Sequence, residues 1–274
     1  MAGRSRAAGR RTVGGGRAQH FLASTRLAAA LVDRAGVMAR DRVVELGAGT
    51  GVLTAPLADR AGLVMAIELD AALVARLKSR LAGAGNVLVL HGDALETPLP
   101  ANPYRVIANL PFSRTTAILH RLLDDPSGSL VRADVIVQWQ VARARAKSDF
   151  APPTDLLAVI WGPWWRFRRG RRLPASSFRP PPSVDAAVLV AIRRTPPLVA
   201  VEDHTRYATF VRRGFQQSRL DRILGDLLSK VGVRALRRDL ELDDGQEEAR
   251  DLSVEQWARL FSAYRRQVTR SGAR

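Results

Sequence analysis

Three acids and one tetrapeptide are the residues best suited to chemistry. In Glu45-Leu46-Gly47-Ala48-Gly49-Thr50-Gly51 an acid precedes three alternating glycines. Such glycines allow a tight turn and let a ligand approach the backbone. Glu68 lies 23 residues beyond Glu45, at the end of the next apolar run, a distance suited to an acid reaching ribose hydroxyls. Asp93, in His91-Gly92-Asp93-Ala94, ends a third run, where an adenine amino group could be read. The loop is not the G-x-G-x-x-G of dinucleotide binders, whose helix amides receive a pyrophosphate. An acid beside the loop suits a cationic ligand without phosphate, and S-adenosylmethionine, with its sulfonium and ammonium groups, is one. Each acid alone reads as a turn or cap residue. The set, with the glycines, carries the inference.

The tetrapeptide is Asn109-Leu110-Pro111-Phe112. An exocyclic amine such as adenine N6 has its lone pair delocalised into the ring. To attack a methyl group it must turn toward tetrahedral geometry. The Asn109 side-chain oxygen and the Leu110 carbonyl can accept its two N–H bonds, Pro111 fixes the chain direction, and Phe112 offers a face for stacking. Positioning and electrostatics would supply most of the rate. No strong base is needed, because the methylated amine is acidic once formed. The plain alternative is an Asn-x-Pro turn with Phe112 in the core.

These groups need a scaffold. Arg42–Leu46, Leu63–Ile67, Asn86–Leu90, Tyr104–Ala108 and Asp134–Trp139 read as buried strands. Val52–Arg60, Ala71–Leu81, Thr115–Leu123 and Val141–Ala146 read as helices. Strands separated by helices predict a parallel Rossmann-like α/β sheet with helices on both faces. Each acid and the tetrapeptide then fall at strand C-terminal ends, where open α/β sheets bind ligands. Trp164–Arg168 and Val184–Ile192 read as an antiparallel pair closing the sheet edge. Thr195-Pro196-Pro197 marks a boundary. Beyond it, His204–Phe215, Leu220–Lys230 and Val254–Tyr264 read as helices, with Ser253 and Gln256 forming a capping box. The expected organisation is a basic tail over 1–16, a methyltransferase domain over 17–195 and a small all-α domain over 196–274.

Charge points to the partner. Lys and Arg total 43 against 26 acids, a net charge of +17. Only three are lysines, so 40 are arginines, a bias that fits a GC-rich coding sequence. The excess over acids points to a polyanion, nucleic acid before membrane. The absence of cysteine excludes disulfides, thiolate zinc sites and a cysteine nucleophile. The longest apolar runs, such as Leu27–Val32, fall far below the roughly 20 residues of a membrane helix. Residues 1–17 carry five arginines but no apolar stretch, so a secretory signal is not expected. A cytoplasmic, metal-free monomer with no membrane partner is the expectation.

With these residues in view, the chain resembles the KsgA/Erm family of rRNA adenine N6-methyltransferases. The resemblance rests on Gln19-His20-Phe21-Leu22, the Glu45–Gly51 loop, Glu68, Gly92-Asp93-Ala94, Asn109–Phe112 and Ser177-Phe178-Arg179-Pro180-Pro181-Pro182-Ser183-Val184. Phe112, where KsgA-type enzymes usually have Tyr, makes it look like the Erm branch. That branch methylates one adenine in the peptidyl-transferase loop of 23S rRNA and confers macrolide, lincosamide and streptogramin B resistance. The resemblance implies S-adenosylmethionine contacts from Gln19, His20, Phe21, Glu45, Gly47, Gly49, Gly51, Glu68, Leu69, Asp93, Ala94 and Asn109. It implies that Asn109–Phe112 act on the target base and that Phe178 flanks it. His20 stands where the family often has Asn, so that contact is open. A KsgA-like small-subunit enzyme and a noncatalytic assembly factor are the alternatives.

Trp164-Trp165-Arg166-Phe167-Arg168-Arg169-Gly170-Arg171-Arg172 combines five arginines, three aromatics and no acid. Arginine and aromatic side chains both stack on bases, and arginine neutralises phosphate. The expectation is aromatics inward and arginines toward rRNA, the surface extended by Arg114, Arg143, Arg145, Arg212, Arg213 and Arg219. A base in a duplex could not reach Phe112, so the target must be unpaired or flipped.

Overall fold

The computed structural model describes residues 19–146, 155–217 and 248–271. The basic tail, the helix expected at Leu220–Lys230 and Arg219 lie outside the described residues. Five parallel strands make up one side of a seven-stranded sheet: β2 (Arg42–Leu46), β3 (Leu63–Glu68), β4 (Val87–His91), β5 (Tyr104–Asn109) and β6 (Leu130–Gln138). The order is β4-β3-β2-β5-β6-β9-β7, with β7 (Trp165–Leu173) and β9 (Ala186–Arg193) antiparallel at the edge. The closing pair read from the sequence is therefore present. β7 runs five residues further than expected, through a register shift between Arg169 and Arg172. Trp139, expected to end β6, instead begins helix α5 (Trp139–Arg145).

Both sheet faces are covered, which is why the strands read as continuous apolar runs. Helices α1 (Thr25–Ala35), α2 (Thr54–Ala58) and α3 (Ala71–Arg80) lie on one face, where α1 and α2 pack on Val43, Val64, Ile107 and Ile136 and α3 packs on Ala66 and Val89. Helices α4 (Thr115–Leu123) and α6 (Leu156–Trp161) lie on the other side with Val44, Leu46, Val106, Val135 and Val137, and α7 (His204–Gln217) and α8 (Val254–Ser271) join the same cluster, α7 against α6 and α8 against α7. The helix expected over Val52–Arg60 shortens to Thr54–Ala58, because the glycine turn occupies the residues before it. Pro56 sits in its first turn, where the missing N–H costs nothing.

Helix α1 was not anticipated, although its Leu27–Val32 run was visible. Ser24 caps its start by accepting from the Leu27 N–H at 3.2 Å, and Gly36 ends it at φ 62°. The buried Arg105 on β5 then holds its end. Its guanidinium donates to the Ala35 and Gly36 carbonyls and pairs with Asp41 at 2.7 Å. The pairing places a cation at a helix C-terminus, where the macrodipole favours it.

The C-terminal helices share the sheet's core. Trp161, Trp164 and Trp165 join Val199, Tyr207, Phe210, Trp257 and Phe261 in one buried cluster. The capping box of α8 is present: Gln256 N–H donates to Ser253 Oγ at 3.1 Å, and Ser253 N–H to Gln256 Oε1 at 2.8 Å. Burying one such aromatic contributes about 4–6 kcal/mol. The Arg194–Glu255 pair at 3.0 Å, with its glutamate in solvent, contributes about 1 kcal/mol. Apolar packing is the larger contribution to seating α8, with the Arg265–Asp203 pair beside it.

A second, two-stranded ladder lies apart from the main sheet. β1 (Phe21–Leu22) pairs antiparallel with β8 (Phe178–Arg179), bringing Gln19–Phe21 over the ends of the central strands. Two-residue strands leave no periodic signal in a sequence.

Candidate active site

A cavity of about 520 Å³ opens at the C-terminal ends of β2, β3, β4, β5 and β6. Gly47, Glu68 and Leu69, Gly92–Ala94, Asn109–Arg114 and Gln138 supply its walls, strand by strand. Gln19, His20 and Phe21 roof it, with Pro182 and Ser183 opposite. Of the twelve residues expected to contact the cofactor, nine line this cavity together with Leu110, Pro111 and Phe112, while Glu45, Gly49 and Gly51 do not.

The glycine loop works through conformation. Gly47, Gly49 and Gly51 have φ of 74°, 57° and 79°, all left-handed. Of the three, Gly47 lines the cavity. A Cβ on Gly49 would stand 2.7 Å from the Phe21 ring, so Gly49 makes room for the roof. A Cβ on Gly51 would stand 2.6 Å from Leu77 Cδ2, so Gly51 lets α3 pack on the loop. Gly49 and Gly51 shape the site from behind rather than lining it.

The three acids divide. Glu68 lines the cavity with its carboxylate fixed: Oε2 accepts the Gly49 N–H at 2.7 Å and Oε1 the Asp70 N–H at 2.9 Å. Each oxygen retains a lone pair for a hydroxyl donor. Asp93 accepts the Leu95 N–H at 2.8 Å and Arg114 at 2.9 Å. The Leu95 N–H, then Arg114, and the more distant Arg121 charge hold its carboxyl below the usual range. Arg114, expected on the RNA surface, is on this wall, bound to Asp93. Glu45 departs from expectation. It lies under the loop, 2 % exposed and off the cavity wall, accepting from Thr54 Oγ1 at 2.6 Å. Burial pushes its pKa up to about 8, with Glu68 adding to the rise against the Thr54 bond. At pH 7 it is neutral and offers no charge to a cation.

Asn109 is the sharpest feature. Its Nδ2 donates to the His20 carbonyl at 2.7 Å. A carbonyl can only accept, so this contact fixes which end of the amide is which. The other end, Oδ1, is buried and has no hydrogen-bond partner among the described residues. The His20 ring is itself held, Nδ1 donating to the Pro180 carbonyl at 2.8 Å. His20 thus serves through its backbone carbonyl and an anchored ring. The Leu110 N–H donates to the Ile136 carbonyl at 3.1 Å, tying the tetrapeptide to β6. The Phe112 ring sits on the wall, 5.6 Å from His20 and edge-on to Phe178 at 6.4 Å. Phe178 is fully buried, so it backs Phe112 instead of lining the cavity.

Outside the cavity, Arg166, Arg168, Arg169, Arg171 and Arg172 are exposed on β7, while Trp164 and Trp165 are buried. Arg143, Arg212 and Arg213 are also exposed. Arg145 is not: it is buried, paired with Asp155 at 3.1 Å and set over Trp161. It is a packing residue rather than part of the basic surface. Gln138, Pro182 and Ser183 line the cavity without having been anticipated. Gln138 could have been found from its place at the end of the fifth strand.

Five parallel strands with an antiparallel edge, and a cleft built on their C-terminal ends, define a Rossmann-like methyltransferase fold. Residues 17–266 match the family model described as ribosomal RNA adenine dimethylase. The chain belongs to that family. It is 36% identical over 256 residues to the mycinamicin-resistance protein MyrB of Micromonospora griseorubida, covering 92% of this chain and 79% of the relative. It is 34% identical over 207 residues to the ribosomal RNA small subunit methyltransferase A of Magnetococcus marinus, covering 73% and 74%. Among solved structures it is similar to the 23S rRNA methyltransferase ErmE, at 28% identity and a TM-score of 0.79 over 89% of this chain and 99% of that one.

Proposed function

We propose that this protein transfers a methyl group from S-adenosylmethionine to N6 of an unpaired adenine in 23S rRNA. The observation that carries the reading is the orphaned Asn109 Oδ1. A buried acceptor without a partner costs about 1–3 kcal/mol, so it calls for a donor. An adenine amino group is one. With Nδ2 tied to the His20 carbonyl, the amide is held with Oδ1 as its free acceptor.

The residues also fit the cofactor. Glu68 keeps free lone pairs for ribose hydroxyls, Asp93 with Ala94 stands where the base would be read, and Leu69 offers an apolar face. S-adenosylmethionine, when bound, supplies an electrophilic methyl on a sulfonium. This chain's residues do the rest: Asn109 Oδ1 and the Leu110 carbonyl hold the amine's two N–H bonds, Phe112 stacks on the ring, and Gln19–Phe21 limit access of water. The proton lost from the methylated amine needs no strong base.

The 23S target is favoured by the likeness to the 23S rRNA methyltransferase ErmE and by Phe112 in place of Tyr, and a role in resistance by the likeness to the mycinamicin-resistance protein MyrB. It would confer macrolide, lincosamide and streptogramin B resistance and place the protein with ribosomes in the cytoplasm. No described helix is long and apolar enough to cross a membrane. A small-subunit target is the second reading, supported by the Magnetococcus relative. Mass spectrometry of both rRNAs after incubation with labelled cofactor tests the choice. Label in an adenine of 23S rRNA is expected, and label in 16S rRNA alone would replace the first reading with the second. Asn109→Ala should lower turnover by roughly 10²–10³-fold with an unchanged melting temperature. Full activity in that variant would refute the assigned role.

A further inference from the structure

Trp139 carries two guanidinium groups. Arg169 Cζ stands 4.7 Å and Arg172 Cζ 4.9 Å from its ring centroid. Residues three apart on a regular strand point to opposite faces. The extra residue between Arg169 and Arg172 in β7 undoes that alternation and brings both to one ring. Both are exposed. Arg172 has an acid, Asp185, at 2.8 Å. Arg169 has no acid partner among the described residues. Arg143 is exposed one turn along α5 from Trp139, on the same side of the helix.

Two cations thus flank one half-buried indole, a third stands one turn along the helix, and Asp185 is the carboxylate paired with the cluster among the described residues. One arginine would satisfy a stabilising cation–π contact. A second adds like-charge repulsion, of which Asp185 offsets the Arg172 charge and leaves that of Arg169 open to an anion. The position matters as much as the charge. Gln138, the residue before Trp139, lines the cavity, and the Trp139 N–H donates at 2.9 Å to the carbonyl of Asp185, two residues from cavity-lining Ser183. The cluster therefore stands at the cavity's rim.

We propose that Trp139, Arg169 and Arg172 form a landing site for the nucleotide adjoining the adenine that enters the cavity. Its base stacks on the indole–guanidinium layer, and its phosphate is taken by Arg169 and Arg143. The site requires a single strand, since a paired base has no free face to offer. The inference rests on the proposed action on RNA adenine. It adds a platform outside the cavity that holds the strand in register.

The test uses the full chain with a single-stranded RNA containing one adenine, reading both Kd by anisotropy and KM against kcat. Trp139→Ala and Arg169→Gln should each weaken RNA binding about tenfold, the size of one lost stacking contact. The loss should fall on Kd and KM, with kcat and cofactor affinity within twofold. Trp139→Phe should recover most of the binding. Arg169→Gln should also lower the slope of log Kd against log salt by about one. Wild-type Kd and slope in Arg169→Gln would overturn the landing site, whether or not Trp139→Ala folds. That result, with methylation by the wild-type enzyme intact, leaves the proposed reaction standing. A wild-type chain that binds RNA with the expected variant losses yet transfers no methyl would instead remove the reaction and keep the site.

Discussion

Replacing Glu45 by Gln isolates the energetic role of the acid beneath the glycine loop. Glu45 ordinarily titrates at 4.5, and burial moves it to about 8 in the folded chain. Between those values the folded state holds a proton that the unfolded state has lost. Stability therefore falls as pH rises from 4.5 toward 8, and levels off above it. At about 1.4 kcal/mol per tenfold change in proton affinity, the ceiling is on the order of 5 kcal/mol. Relaxation of the loop would leave about 2 kcal/mol or more. Gln is neutral throughout and can still accept from Thr54 Oγ1, so the variant lacks this dependence. Urea unfolding at fixed points from pH 5 to 9 measures the difference directly. The two proteins should lie within about 1 kcal/mol at pH 5, since both are then neutral at this position. The variant should be more stable by about 2–5 kcal/mol at pH 9. Asp93 does not confound the comparison, because its shift is downward and its contribution is lost only at acid pH. A difference between the two proteins that stays constant from pH 5 to 9 would refute the argument.

Three further outcomes are expected. Gly49→Ala strains a left-handed residue and drives a methyl into the Phe21 ring; it should weaken cofactor binding more than tenfold by calorimetry while costing about 1–2 kcal/mol of stability. Arg105→Ala frees the end of α1 and leaves Asp41 without its cation, and should cost about 3–5 kcal/mol in urea unfolding. Trp257→Ala removes a fully buried ring from the shared cluster and should cost about 3–5 kcal/mol, lowering the melting temperature by roughly 10 °C in a single transition; a separate early transition with the main one unmoved would show the helices unfolding alone.

The sheet was legible because its strands are buried on both faces, which leaves runs such as RVVEL and LVMAI in the sequence. Thr115–Leu123 was bounded to the residue, since its apolar positions keep a clean helical spacing. The site was legible where position along the chain decides it: Glu68 and Asn109 end strands, and Asp93 stands two residues beyond one. What escaped depends on contacts between distant segments. Nothing local marks Glu45 as buried, Arg145 as paired with Asp155, or Phe178 as backing Phe112. A regular alternation would have split Arg169 from Arg172, and only the register shift in β7 unites them.

The carbonyl that aims the Asn109 amide belongs to the same segment that roofs the cleft. That segment is fastened by a ladder of two residue pairs and by a His20–Pro180 bond spanning 160 positions. Displacing residues 19–21 would break the bond to Nδ2 and free the amide to turn. The roof of the cleft and the aim of the amide are thus held by one contact.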